Sequence, residues 1–87
     1  MRGLQMGING AHQYEYTVLL DPDEEGGGYT VTVPALPSIV TQGNTLEAAL
    51  EMARDAIALY IEDLVADGEP IPTEHLPPQL ARVAVTA

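Results

Sequence analysis

Alternating apolar and polar positions predict two β-strands in the first part of the chain. Every second residue of residues 14–20 is apolar or aromatic, and residues 29–33 repeat this pattern. A period of two places successive side chains on opposite faces of a strand. Residues 21–28 contain a proline and three consecutive glycines, which favour a hairpin turn. Pro34 cannot donate to a neighbouring strand and ends the second strand, and residues 38–42 predict a third, shorter one.

The longest uninterrupted pattern predicts a helix over residues 46–67. This segment has neither Gly nor Pro and is rich in Ala, Leu and Glu, which are strong helix formers. Thr45 is the expected N-cap, with Asn44 as the alternative, and Gly68 is expected to end the helix. Apolar residues spaced by three and four predict the face that covers the sheet. These residues are Leu46, Leu50, Ala53, Ile57, Tyr60 or Ile61, and Leu64.

A second apolar seam runs beside this face of the helix. It consists of Ala48, Met52, Ala56 and Leu59, so the middle of the helix is apolar on nearly all sides. One amphipathic face suffices to cover a small sheet. The second seam therefore predicts a further contact, with another subunit or a partner. The alternative is that the N-terminal tail or the proline-rich segment covers it.

The order of these elements predicts an α+β fold. Residues 69–78 hold four prolines and predict an extended connection, and residues 80–86 predict a last strand. We expect β-β-β-α-β, an antiparallel three-stranded meander whose last strand lies parallel to the first, in the sheet order 3-2-1-4. Residues 1–13 lack clear periodicity and are expected to form a flexible tail or arm, with residues 14–87 as a single domain.

Charge and composition restrict the classes of partner. The 87 residues include 13 Asp and Glu, three basic residues and no Cys, for a formal charge of -10. Few Lys and Arg make direct binding of nucleic acid or of an anionic membrane unfavourable, and a basic protein partner is favoured. The alternative is that the charge only maintains solubility. The lack of Cys excludes a disulfide framework and agrees with a cytoplasmic location. Because the core is small, we expect a homo-oligomer, a dimer or a tetramer.

Candidate catalytic and metal-binding groups are not convincing in the sequence. The three glycines of residues 26–28 precede a strand, whereas a phosphate loop opens a helix. His12 and His75 have no partner His at metal-ligand spacing, and the acids at 21–25 lack the spacing of an EF-hand. We therefore predict no catalytic residue, no metal site and no cofactor.

Four segments of the chain form a distinctive ordered set. They are the acidic glycine turn at 23–26, the strand and its proline at 28–34, the Leu-Pro at 36–37, and residues 40–49. No single segment is specific, but their order and spacing are. In this set the chain resembles the HicB-like antitoxins of HicA–HicB toxin–antitoxin systems, specifically their small N-terminal domain. The family's usual Gly-Cys after Leu-Pro is Ser38-Ile39 here, and Pro70 and Pro72 lie where such domains commonly have a proline pair.

The resemblance implies a partial ribonuclease-H-like fold and a non-catalytic antitoxin that neutralises a small, basic, RNA-cleaving HicA-like toxin by occlusion. Many relatives carry a C-terminal DNA-binding module; this sequence ends after the last predicted strand, so a short form without it is expected. The residues expected to contact the partner are Asp23, Glu24, Glu25, Glu51 and Asp55 for electrostatic steering, with Met52 and Leu59 as apolar contacts.

Two alternatives remain at this point. The first is an orphan oligomeric HicB-like scaffold without a toxin partner. The second is a vestigial metal-dependent nuclease, which would need several carboxylates converging on two metal ions. The second is the weaker alternative, because the predicted strands contain a single acid, Glu15, and one carboxylate cannot supply such a site.

Overall fold

The computed structural model describes residues 13–87, which form three strands followed by one helix. The predicted tail, residues 1–13, lies outside the described residues except for Gln13. Both strand pairings are antiparallel and the spatial order follows the chain, which confirms the α+β class and the predicted meander. The elements are β1 (Leu19–Pro22), β2 (Tyr29–Thr32), β3 (Val40–Gly43) and α1 (Leu46–Asp67).

The first strand begins later than predicted. Residues 14–20 were expected to form it, but pairing starts with Leu19 opposite Thr32 and ends with Pro22 opposite Tyr29. The cause lies in β2, because Pro34 lacks an N–H and the chain turns there, which leaves residues 14–18 without a strand to pair with.

The other two strands also differ slightly from their predicted bounds. β2 ends at Thr32, one residue earlier than predicted, and β3 begins at Val40, two residues later. Residues 33–39 form turns in which the N–H of Leu36 donates to the Val33 carbonyl and that of Ile39 to the Leu36 carbonyl. The turns place Leu36 in the core, where it is fully buried.

The helix has the predicted bounds, and both caps are as expected. The Thr45 hydroxyl accepts from the backbone N–H of Ala48 at 3.0 Å, so Thr45 rather than Asn44 is the N-cap. Gly68 takes the left-handed conformation, with φ of 70°. Its N–H donates to the Val65 carbonyl and that of Glu69 to the Leu64 carbonyl, which is the Schellman arrangement.

The core lies between the helix and one face of the sheet. In one cluster Val31 packs with Ala49 and Ala53 of α1; in the other, residues of the β2–β3 connection pack with α1. Partly buried Val18 contacts both clusters. The fully or nearly fully buried residues of the described chain are Val31, Val33, Leu36, Ile39, Ala49 and Ala53.

The buried face of the helix is rotated from the predicted one. Leu46 and Leu50 were expected in the core but are exposed, and Ala49 is completely buried instead. The small side chains of Ala49 and Ala53 let the helix approach the sheet closely. The larger Leu side chains therefore lie at the margin of the contact.

The structure does not show the predicted fourth strand. The helix is followed by an extended segment in which residues 69–87 contain no strand. Within the described residues the sheet has three strands, so the predicted order 3-2-1-4 is present only as 3-2-1. A strand needs a neighbour to satisfy its N–H and C=O groups, and residues 80–86 lie exposed without one. No helix in the part described is long and apolar enough to span a bilayer.

Candidate protein-binding surface

The acidic turn between β1 and β2 is held by its own backbone. The N–H of Asp23 donates to the Gly28 carbonyl at 3.0 Å, and the N–H of Gly27 donates to the Asp23 carbonyl at 3.1 Å. One carboxylate oxygen of Asp23 also accepts from the Glu25 N–H at 3.0 Å. Asp23, Glu24 and Glu25 are all exposed. The turn therefore presents three carboxylates to solvent on an ordered backbone.

Backbone contacts fix this turn against the start of the helix. Gly28 has φ of 83°, and a Cβ atom there would lie 2.6 Å from the Gly43 carbonyl oxygen. A Cβ atom on Gly43 would lie 2.4 Å from the backbone nitrogen of Ala49. Only glycine permits both approaches. The turn, the end of β3 and the first turn of α1 thus pack without intervening side chains.

A shallow depression of about 580 Å³ lies between the turn and the helix. Asp23 and Met52 both line it. Tyr29 and Gln42 line it as well, and neither was predicted from the sequence. The alternating pattern of β2 and β3 predicts which side chains share a face of the sheet. Which residues of the two strands lie side by side at this depression depends on the pairing register.

The four candidate residues of the helix share one face. At 3.6 residues per turn, Glu51, Met52, Asp55 and Leu59 all lie within about 100° of each other around the helix axis. Met52 is 47% exposed and Leu59 is 61% exposed. This face therefore combines carboxylates with solvent-exposed apolar side chains.

One of the helix carboxylates is partly neutralised. Arg54 donates to the carboxylate of Glu51 in an exposed ion pair one turn apart. Exposed pairs of this kind contribute little to stability. Asp55 is exposed in the same part of the helix.

The structure brings some of the predicted contact residues together and leaves others apart. Asp23 and Met52 line one depression. Leu59 lies seven residues beyond Met52, or roughly 10 Å along the helix. Glu24 and Glu25 do not line the depression, although they belong to the same turn. We call the set Asp23, Glu24, Glu25, Glu51, Met52, Asp55 and Leu59 the hairpin–helix surface.

A second concave region lies on the other side of the helix and was not foreseen. It has a volume of about 980 Å³ between residues 14–18 and one side of α1, and Glu74 and Pro77 also line it. We call it the lateral groove. The helix residues that line it are mainly apolar: Leu50, Ala53, Arg54, Ile57, Ala58, Ile61 and Glu62.

Hydrogen bonds tie the proline-rich connection to the edge of this groove. The Tyr16 hydroxyl donates to the Pro72 carbonyl at 2.6 Å. Burial raises the pKa of the Tyr16 phenol, and Tyr14 raises it further. Thr17 donates to Glu74 through both its backbone N–H and its hydroxyl, which lowers the pKa of that carboxyl.

The described residues offer no cluster that could bind a metal ion. Across residues 13–87, no group of three or more His, Cys, Asp or Glu side chains has a suitable arrangement. Among the same residues no buried polar or charged side chain is found.

Comparison with known sequences agrees with this description. The family described as HicB_like antitoxin of bacterial toxin-antitoxin system matches residues 16–84. A UPF0150 protein of Synechocystis sp. is 44% identical over 63 residues, which cover 72% of this chain and 78% of the relative. Antitoxin HicB 1 of Photorhabdus laumondii is 51% identical over 57 residues, or 66% of this chain and 36% of the relative. Antitoxin HicB of Escherichia coli K12 is 40% identical over 57 residues, which cover 66% of this chain and 41% of the relative.

Fold and surface together define a small α+β protein with an ordered acidic turn beside an exposed helix face. The chain belongs to the HicB-like antitoxin family of bacterial toxin–antitoxin systems. It spans 36% and 41% of the length of the two relatives named HicB, but 78% of the Synechocystis protein.

Proposed function

We propose that this protein is an antitoxin that neutralises a small, basic, RNA-cleaving toxin of the HicA type by covering it. Family membership supports the antitoxin role, and relatives named Antitoxin HicB match about two-thirds of the chain. The observation that carries the proposal is the hairpin–helix surface, in which an ordered acidic turn adjoins exposed apolar side chains of α1.

Charge and apolar contact have separate roles in this proposal. Carboxylates of the turn and the helix attract a basic protein and accelerate its association, because complementary potentials steer encounter. Met52 and Leu59 then bury apolar area and slow dissociation, since most differences in affinity among related complexes arise in the dissociation rate. A formal charge of -10 supports the electrostatic part.

The protein acts in this proposal without catalysis, without a cofactor and in the cytoplasm. Neutralisation by occlusion requires only that the complex be stable while the toxin's active surface is covered. The ribonuclease-H-like relationship, with its fourth strand, stays a prediction and belongs to the same proposal. Incubation of the pure protein with RNA and Mg²⁺ or Mn²⁺ tests the absence of nuclease activity. Metal-dependent cleavage that co-purifies with the folded protein would contradict it.

Co-expression with the product of the neighbouring gene tests the main proposal. We expect a complex that survives purification and in which RNA cleavage by the toxin is suppressed. If no basic protein is retained, the result favours the orphan oligomeric scaffold instead.

Variants with neutral side chains distinguish electrostatic steering by the acidic turn from an effect of the protein's net charge. In the variant Asp23→Asn/Glu24→Gln/Glu25→Gln, association at low salt should slow by about tenfold, with little change in dissociation. The matched control, Asp63→Asn/Asp67→Asn/Glu69→Gln, removes three exposed charges at the other end of α1, a helix about 33 Å long. Equal slowing in both variants would show that only net charge matters.

A further inference from the structure

The end of the proline-rich connection and the segment after it carry apolar side chains that are almost completely exposed. Leu76, Leu80, Val83 and Val85 are exposed by 88%, 86%, 83% and 82%. Burial of such side chains is favourable, because it removes apolar surface from water. Residues 80–86 also have the alternating pattern of a strand, although none is formed there. We call residues 79–87 the arm.

The lateral groove is lined mainly by apolar side chains and could receive the apolar arm. Its helix wall carries Ala53, Ile57 and Ile61, and its other wall is formed by residues 14–18. Within the described residues β1 pairs with β2 alone, and its open edge, Leu19–Pro22, follows directly after the groove wall along the chain. The backbone N–H of Thr17 in that wall is already bonded to Glu74. An extended apolar segment would therefore cover the apolar side chains of the groove and pair with the backbone of the adjoining β1 edge.

Charge also matches between the arm and the groove. Arg82 is the charged side chain of residues 79–87, so the arm has one positive side chain and no acid. The groove is lined by Glu15, Glu62 and Glu74 against the single Arg54. The Arg82 side chain is thus attracted to a groove with a net negative lining.

The arm does not cover the groove of its own chain, because its apolar side chains are almost completely exposed. Glu74 is held at Thr17 by two hydrogen bonds, and Pro77 and Pro78 follow directly. A residue that precedes a proline favours extended conformations, so residues 76 and 77 form a stiff connection to the arm. Short, stiff hinges of this kind favour exchange of an element between two copies.

We propose that two copies of this chain exchange their arms, so that residues 80–86 of each copy occupy the lateral groove of the other as a fourth strand. The arrangement is two-fold symmetric, because each copy supplies one arm and one groove. The strand that the sequence predicts is then formed between chains rather than within one. The inference does not depend on the proposed antitoxin function.

The mass of the full chain in solution provides the first test. By light scattering at micromolar concentration, we expect at least two chains of 9.3 kDa per particle. The arm variant Val83→Asp/Val85→Asp and the groove variant Ala58→Arg should each give single chains with unchanged helical circular dichroism. Ala58 is exposed and lines the groove, and arginine is a good helix former, so the helix itself should be preserved.

Matched controls and a mixing experiment make the test specific. Val65→Asp and Ala66→Arg introduce the same groups on α1 outside the groove and should leave the mass unchanged. A mixture of the arm variant and the groove variant should form a mixed dimer, because the intact arm of one chain fits the intact groove of the other. A single-chain mass for the unaltered protein, a groove variant that remains dimeric, or a mixture that remains single chains would overturn the proposal.

Discussion

Thr17 donates two hydrogen bonds to the carboxylate of Glu74, one from its backbone N–H at 2.7 Å and one from its hydroxyl at 2.5 Å. The two residues are 57 positions apart in the sequence. The contact joins the segment before β1 to the connection after α1, where no strand pairing does so. The Tyr16–Pro72 hydrogen bond reinforces this junction.

The Thr17–Glu74 contact predicts a specific pH dependence. Hydrogen bonds from Thr17 hold the pKa of Glu74 below its ordinary value of 4.5. Because the folded-state pKa is lowered, the contact contributes its stability fully above pH 4.5 and loses it as the pH falls through the folded-state value. In Thr17→Val the pKa of Glu74, measured by carboxyl ¹³C shifts, should rise towards its ordinary value. Thr32→Val, on the exposed face of β2, should not change it.

Two glycines that differ in their surroundings should differ in tolerance to alanine. Gly43→Ala places a methyl group 2.4 Å from the Ala49 backbone nitrogen, so the helix must move away from the sheet. We expect a loss of about 3 kcal/mol or more in the free energy of unfolding, by comparison with other severe steric changes. In Gly68→Ala the new methyl group meets open space, and the strain comes only from the left-handed φ. We therefore expect a loss of about 1 kcal/mol in the free energy of unfolding. Urea unfolding measures both, and an equal loss would contradict the close contact at Gly43.

The helix cap at Thr45 is expected to stabilise α1 through its hydroxyl. Thr45→Ala removes the acceptor of the Ala48 N–H and should lower the free energy of unfolding by about 1 kcal/mol. Thr45→Ser keeps the hydroxyl and should recover most of this loss. If serine and alanine destabilise equally, the hydrogen bond contributes little.

Leu36 should be essential to the core although it lies in a turn. It is fully buried beside Val33 and Ile39, so Leu36→Ala should leave a cavity and cost about 2–5 kcal/mol. Val65→Ala truncates an exposed side chain on α1 and should cost less than about 0.5 kcal/mol. Thermal or urea unfolding compares the two variants. A small effect at Leu36 would mean that the turn can collapse into the space.

The helix was predictable from local signals and the strand ends were not. Thr45 and Gly68 specify the bounds of α1 through backbone groups within four residues of each cap. The start of β1 instead depends on where β2 ends, which Pro34 determines from 15 or more residues away. The rotation of the helix that buries Ala49 in place of Leu46 follows from how closely the backbones approach, which apolar periodicity does not encode.

The candidate surface was predictable as a set of residues but not as an arrangement. The exposure of Glu24, Asp55 and Leu59 agrees with the sequence pattern. The proximity of Asp23 to Met52 depends on the register that places Tyr29 opposite Gly43. The pattern within each strand does not specify which residues of the two strands lie opposite each other, so this register could not be predicted from the sequence.

The backbone contacts at Gly28 and Gly43 have a consequence for recognition. They hold the acidic turn at a set distance from Met52 before any partner arrives. Loops that must become ordered on binding lose conformational entropy, which weakens the complex. A preorganised turn avoids that loss, so a partner at this surface would dock largely as a rigid body, and its affinity would reflect the contacts themselves.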